Sequence, residues 1–195
     1  GYAQAEAAYQ NAVAYALDRR QGRALTGPAN PDERADPIFV HPDIRRMLMD
    51  AKVFTEGSRA FCLWSALQAD LAEKAQTEEE REAAHDMLSL VTPVIKGYTT
   101  DKGFETATNM QQVFGGHGYI EEWGMSQFVR DARIAQIYEG ANGIQAMDLC
   151  GRKLGHKGGA MVQSFFTMIE EEIASAKENA ELADLATRLE KALGE

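Results

Sequence analysis

Apolar residues recur along this chain at intervals of three and four, and no stretch sustains a two-residue alternation. That periodicity predicts helices throughout and no sheet. Residues 3–25 read as an alanine-rich helix with Tyr2, Ala5, Tyr9, Ala12 and Ala16 spaced for one face. Pro28, Pro31, Pro37 and Asn30 then oppose helix, so a surface loop is expected from Thr26 to about Val40. His41-Pro42-Asp43 opens a long helix reaching about Lys74. One stripe of it runs Ile44, Met47, Leu48, Ala51, Phe54, Ser58, Phe61, Cys62, Ser65, and a second apolar edge runs Leu63, Leu67, Leu71. Two edges predict burial on more than one side, as in a bundle or a subunit interface.

Thr77 followed by Glu80 is a capping-box start for a third helix, with acids clustered in its first turn. Met87, Val91, Val94, Ile95 and Tyr98 form its core face, and the pattern resumes through Ala107, Met110, Val113 and Phe114. Pro93 is expected to kink or restart this helix, and Gly115-Gly116 to end it. Shorter helices follow over 125–133 and 142–153, and residues 161–192 read as one or two acidic amphipathic helices. The fold class is all-α: an up-and-down four-helix bundle with a helical C-terminal appendage.

At 195 residues the chain fits one domain, or one domain plus an appendage, with enough length for a core. Thirty acidic against twenty basic side chains give a formal net charge of −10. That balance argues against nucleic acid or an anionic membrane as partner. No apolar run reaches the length of a membrane span, and no signal-peptide pattern opens the chain. Cys62 and Cys150 lack metal or redox spacing and read as small buried hydrophobes in a reducing, cytoplasmic compartment. His41, His85, His117 and His156 include no pair at ligand spacing, so no metal site is expected. The chain starts at Gly1-Tyr2 already inside a helical pattern, as a piece of a larger protein would.

The candidate chemistry concentrates in QQVFGGHGYIEEWGMSQFVRDARIAQIYEGANGIQ, Gln111 to Gln145. It orders a glycine cluster (Gly115, Gly116, Gly118), an aromatic-rich connector, Arg130-Asp131, and a lone carboxylate, Glu139, between Tyr138 and Gly140. Ile134, Ile137 and Tyr138 predict that Glu139 lies at the edge of a dry pocket. Desolvation there would raise a carboxyl toward neutrality, where a general base works best. Gly140 removes a side chain where a ligand or the backbone approaches closely. Alone, a Glu-Gly pair is more often a solvated acid near a helix start.

Taken in order, these pieces resemble the C-terminal helical domain of the acyl-CoA dehydrogenases, and the resemblance covers residues 1–154. The loop over 26–40 and the tail resemble the larger bacterial subclass with a C-terminal extension, the type of 3-methylmercaptopropionyl-CoA dehydrogenase. The resemblance implies residues 1–154 as the helical bundle and 155–195 as the start of a truncated helical extension. It implies a dehydrogenase that oxidises an acyl-CoA thioester across its α,β bond with FAD and passes electrons to an electron-transfer flavoprotein. Glu139 would be the catalytic base, with Tyr138 and Gly140 against the substrate. Arg19, with Gln21 beside it, would bind the flavin pyrophosphate of a neighbouring subunit, where a planar guanidinium suits bidentate contact. Gln112, Gly115 and Gly116 would meet the adenosine half across a homodimer or a dimer of dimers.

The match departs from the family in three places. The phenylalanine expected between Gln21 and Gly22 is absent, so Arg20 and Arg23 are alternatives to Arg19. Ala141 stands where relatives usually have threonine, and Gly143 where they often have glutamine. Cofactor contacts in that turn are therefore expected from the backbone or Asn142. The piece by itself is expected to be inactive. The competing readings are a flavoprotein relative that is not a dehydrogenase, and a bundle that serves only oligomerisation.

Overall fold

The computed structural model describes residues 1–194. Among them there are eight α-helices and no strand, only an isolated bridge between Arg20 and Pro37. The helices are α1 (Tyr2–Asp18), α2 (Pro42–Lys74), α3 (Glu78–Val113), α4 (Gly116–Tyr119), α5 (Met125–Ala135), α6 (Asn142–Asp148), α7 (Ala160–Lys177) and α8 (Ala183–Leu193). A π turn, Leu149–Lys153, prolongs α6, and short 3₁₀ turns lie at Ile38–Val40, Glu121–Trp123 and His156–Gly159. No helix is long and apolar enough to cross a membrane among the described residues.

Contacts divide the chain into two units. The first combines Gly1–Leu67 with Pro93–Ala146. In α1 the alanines Ala5, Ala8, Ala12 and Ala16 are fully buried, their small side chains allowing neighbouring backbones to approach. Ala8, Ala12 and Ala16 share one core with Met47, Leu48 and Ala51 of α2, Met110 and Val113 of α3, and Met125 of α5. Four helices thus contribute to a single bundle core. In the second unit, Gln68–Thr92 with Met147 onward, α7 and α8 pack on each other and bury Met161, Ile173 and Ala186. There Lys157 bridges Glu82 and Asp86 at 2.6 Å each.

The sequence-based expectations hold in type and differ at particular ends. The capping box forms: Glu80 N–H donates to Thr77 Oγ1 at 3.2 Å, and Thr77 N–H donates to Glu80 Oε2 at 3.0 Å. Pro93 does not restart α3, which runs through it, because one missing N–H forfeits a single bond within a 36-residue helix. On α2, Met47, Leu48, Ala51, Thr55, Ser58 and Ser65 are buried, whereas the edge Leu63, Leu67, Leu71 stays exposed. Cys150 is exposed rather than buried, and only Cys62 is partly covered. The Cys62 thiol is pushed up by that burial.

The first helix ends at Asp18, well before residue 25. Arg19 turns extended, and a pairing to a distant segment takes over from helix propagation. Ile38 N–H donates to Arg19 O at 2.8 Å, Gln21 N–H to Asp36 O at 3.0 Å, and Asp36 N–H to Gly22 O at 3.0 Å. The loop closes on the buried Asp36 carboxylate, which accepts from the N–H groups of Ala24 (2.9 Å), Ala29 (3.1 Å) and Asn30 (2.8 Å) and pairs with Arg23 at 3.3 Å. These donors, the Ala24 amide foremost, hold the carboxyl well below its ordinary 3.8 against the opposing effect of burial.

Asp36→Ala strands three amides and should lower Tm by about 5 °C or more in a thermal melt. A carboxyl whose folded value lies below its unfolded one contributes fully above about pH 4 and loses that contribution as pH falls toward the folded value. The wild-type advantage over Asp36→Ala should therefore shrink on acidification below about pH 4. An advantage that grew instead would contradict this account.

Candidate functional site

Two local structures in the first unit carry the candidate residues. The first is the glycine turn between α3 and α4. Gly115 adopts φ 58, ψ −138, a conformation closed to side-chain-bearing residues. Gly118 is buried against the preceding helix; a Cβ there would collide with the Gln111 carbonyl oxygen and lie 3.0 Å from the Phe114 Cβ. Gln111 Nε2 donates to Gly118 O at 2.9 Å and fastens the turn. At Gly115 and Gly116, by contrast, a Cβ would meet nothing within 4 Å.

That open side faces a cavity of about 300 Å³ lined by Arg19 and Gln21 as well as Gly115 and Gly116. Four sequence-predicted cofactor residues, drawn from the end of α1, the following loop and the glycine turn, thus meet at one place. Arg19 is held through its own backbone: its N–H donates to Tyr15 O at 2.8 Å, and its carbonyl accepts from Ile38. Gln21 is held by His41 Nε2, which donates to its carbonyl at 2.8 Å. Arg20 and Arg23, the alternatives to Arg19, point to the loop instead: Arg23 pairs with Asp36, and Arg20 lies 4.0 Å from Glu33. Gln112 is exposed and outside the cavity lining; its carbonyl accepts from Gly115 N–H at 2.9 Å.

Sequence reasoning missed the aromatic wall of this cavity. Tyr15 stacks on Phe114 with ring centroids 4.0 Å apart, and its hydroxyl meets His117 Nδ1 at 2.9 Å. His117 in turn stacks on Trp123 at 4.5 Å. The available signal was helical spacing: Tyr15 lies one turn before Arg19 on the same face.

The second structure is the turn over 136–141, between α5 and α6, which presents Glu139. Tyr138 N–H donates back to Ile134 O at 3.2 Å, and the chain then takes two left-handed residues in succession, Glu139 at φ 54 and Gly140 at φ 84. Glycine adopts this freely. For glutamate it costs on the order of 1–2 kcal/mol, and such strain gathers at functional positions. A Cβ at Gly140 would lie 2.7 Å from Gln145 Nε2, the mobile end of a side chain that can swing aside, so the positive φ is what calls for glycine here. The Glu139 side chain is exposed, and among the described residues no hydrogen bond or ion pair engages its carboxylate or its backbone N–H.

The expected dry pocket is not built by this segment's own residues. Ile134, Ile137 and Tyr138 are 50%, 52% and 52% exposed, all of them beyond Ala132, the last buried residue of α5. Asn142 spends its amide on α3: Nδ2 donates to Asp101 Oδ1 (2.6 Å), Thr100 Oγ1 (2.9 Å) and Gly97 O (3.2 Å), and Oδ1 accepts from Lys96 Nζ (2.7 Å). The Asn142 amide is therefore not free for a ligand in this turn.

Comparison with known proteins places these features in a family context. The family model described as the acyl-CoA dehydrogenase C-terminal domain matches residues 1–154. The 3-methylmercaptopropionyl-CoA dehydrogenase of Ruegeria pomeroyi is 46% identical over 169 residues, 87% of this chain and 28% of that protein. A butyryl-CoA dehydrogenase of Syntrophomonas wolfei is 37% identical over 95% of this chain and 30% of its own length. The chain therefore spans less than a third of these relatives. Among solved structures, Caenorhabditis elegans ACDH-11 superposes over 99% of this chain and 30% of its own with a TM-score of 0.81 at 23% identity. The butyryl-CoA dehydrogenase of Megasphaera elsdenii superposes over 78% and 33% with a TM-score of 0.60 at 27% identity.

Proposed function

Because this chain belongs to the acyl-CoA dehydrogenase family, as its C-terminal domain, we propose that the whole protein oxidises an acyl-CoA thioester across its α,β bond with Glu139 as the base. The observation that carries this reading is the Glu139 turn: an unpaired, exposed carboxylate held on strained backbone, with glycine on one side and a tyrosine on the other. Residues 1–154 form the family domain in this reading, and 155–195 begin its C-terminal extension.

The α-proton of the bound thioester passes to a Glu139 carboxylate oxygen as the α C–H bond breaks. The unengaged Glu139 backbone N–H is placed to donate to the thioester carbonyl oxygen, where negative charge develops. Tyr138 and Gly140 flank the acyl chain, and the half-exposed Ile134 and Ile137 complete an apolar margin that other parts of the protein would close. FAD, when bound, supplies the acceptor for the β-hydrogen as hydride. The cavity at the glycine turn fits the phosphate and adenosine portion of that group. Arg19 offers a guanidinium for the pyrophosphate, Gln21 a neighbouring amide, and Gly115 and Gly116 backbone unobstructed by side chains, with Gln112 at the margin of the same turn. Electrons leave to an electron-transfer flavoprotein, in the cytoplasm.

Each flavin site is completed by a second copy of the chain, giving a homodimer or a dimer of dimers. The exposed edge of α2, with Leu63 at 63% and Leu67 at 53% exposure, is the surface that a second copy covers. Sedimentation should show concentration-dependent association, and Leu63→Glu with Leu67→Glu should shift the boundary to the smaller species. A wild-type chain that stays strictly monomeric at high concentration would remove this part of the reading.

The activity itself is tested with the full-length protein and a short panel of acyl-CoAs, following loss of the oxidised flavin absorbance. Bleaching by at least one thioester is expected. A flavoprotein that none of them reduces would leave the non-dehydrogenase relative, and a protein that takes up no flavin would leave the oligomerisation bundle.

A further inference from the structure

We propose that Asp101 is a positioning residue that fixes the aim of Glu139 by fastening both ends of its turn to α3. This inference rests on the reading of Glu139 as base. The turn begins at Gln136, directly after α5, and ends at Asn142, the first residue of α6. Both side chains converge on one atom: Gln136 Nε2 and Asn142 Nδ2 each donate to Asp101 Oδ1 at 2.6 Å. The backbone closes the same base, with Asn142 N–H donating to Gln136 O at 3.3 Å.

The rest of the two amides is also occupied. Gln136 Oε1 accepts from Arg133 at 2.8 Å, and Asn142 Oδ1 from Lys96 at 2.7 Å, so neither amide is free to rotate away. The Glu139 side chain has no partner of its own, and its location follows from the backbone alone. Two successive left-handed residues do not hold themselves, and an unfastened turn relaxes toward ordinary φ values. A carboxylate acting as a base loses about 10²-fold in rate when it is misplaced by roughly 1 Å. A single acceptor oxygen shared by both ends of the turn is the device that prevents this.

The test uses the full-length enzyme and the rate of flavin reduction by an acyl-CoA. Asp101→Ala should slow reduction about 10- to 100-fold with KM and flavin content little changed. Asp101→Asn keeps an acceptor oxygen in the same place and should restore most of the rate. Amide hydrogen exchange across residues 137–141 should accelerate in Asp101→Ala and not in Asp101→Asn, a readout independent of the reaction. Combined with Glu139→Gln, Asp101→Ala should add no further loss, because there is no base left to aim. The inference is overturned if Asp101→Ala reduces flavin at the wild-type rate, if Asp101→Asn is as slow as Asp101→Ala, or if the loss is equal in both backgrounds. A Glu139→Gln enzyme that reacts normally overturns the base assignment itself, whatever the Asp101 variants do.

Discussion

Glu139→Gln in the full-length enzyme should slow flavin reduction by about 10²–10⁴-fold while flavin and acyl-CoA still bind. Glutamine matches glutamate in size and keeps an acceptor oxygen, so it suits the same turn and the same flanking residues, yet it cannot take a proton. Its backbone N–H persists, so polarisation of the thioester carbonyl is retained and the loss reports proton transfer alone. Glu139→Asp should keep a little activity, because the carboxylate survives but is set back by one methylene. Glu121 and Glu122 sit exposed on a 3₁₀ turn outside this segment, and replacing them should leave the rate nearly unchanged. Rapid-mixing absorbance at saturating acyl-CoA separates these cases. Reduction of Glu139→Gln at near the wild-type rate would mean that the base lies elsewhere in the protein.

The glycine turn should respond to one added methyl group in opposite ways at two positions. At Gly118 the methyl meets the Gln111 carbonyl and the Phe114 Cβ, atoms of the helix end that cannot step aside. Overpacking of that kind costs about 1–3 kcal/mol, so Gly118→Ala should lower Tm by roughly 4–8 °C. At Gly116 the methyl meets no protein atom within 4 Å and enters the space of the cavity. Gly116→Ala should therefore melt at or slightly above the wild-type temperature, as an alanine in a helix does. Its affinity for FAD should fall about tenfold or more, because the methyl stands where the ligand approaches. Thermal melts with flavin titration of the apoprotein give both numbers. Equal flavin affinity in Gly116→Ala and wild type would dissociate this cavity from the cofactor.

Helix identity was legible in the sequence because it depends on local spacing. The capping box at Thr77 and Glu80, the long α2 and the split tail all follow from residues within a few positions of one another. The end of α1 was not legible. Alanine-rich propensity carries the pattern to residue 25, and what stops it is a pairing with Asp36 and Ile38, more than a dozen residues on. The family resemblance assigned Arg19, Gln21, Gly115 and Gly116 to one cofactor, but that they line one cavity shows only in the folded chain, since nearly a hundred residues separate the two segments. Asn142 shows the same limit. Its partners lie 41 to 46 residues away on α3, and only the folded chain shows that its amide is already committed.

The left-handed backbone at Glu139 sets stability against chemistry at a single position. Glycine there would release the strain and, by the cost assigned above, make the protein more robust by a degree or several. It would also delete the carboxylate proposed as the base. Selection for robustness alone pushes this position toward glycine or asparagine, and only selection for turnover pushes it back. On the proposed reading the glutamate is a marker of working chemistry: a descendant of this chain freed from catalysis would gain by losing it before losing anything in the surrounding core.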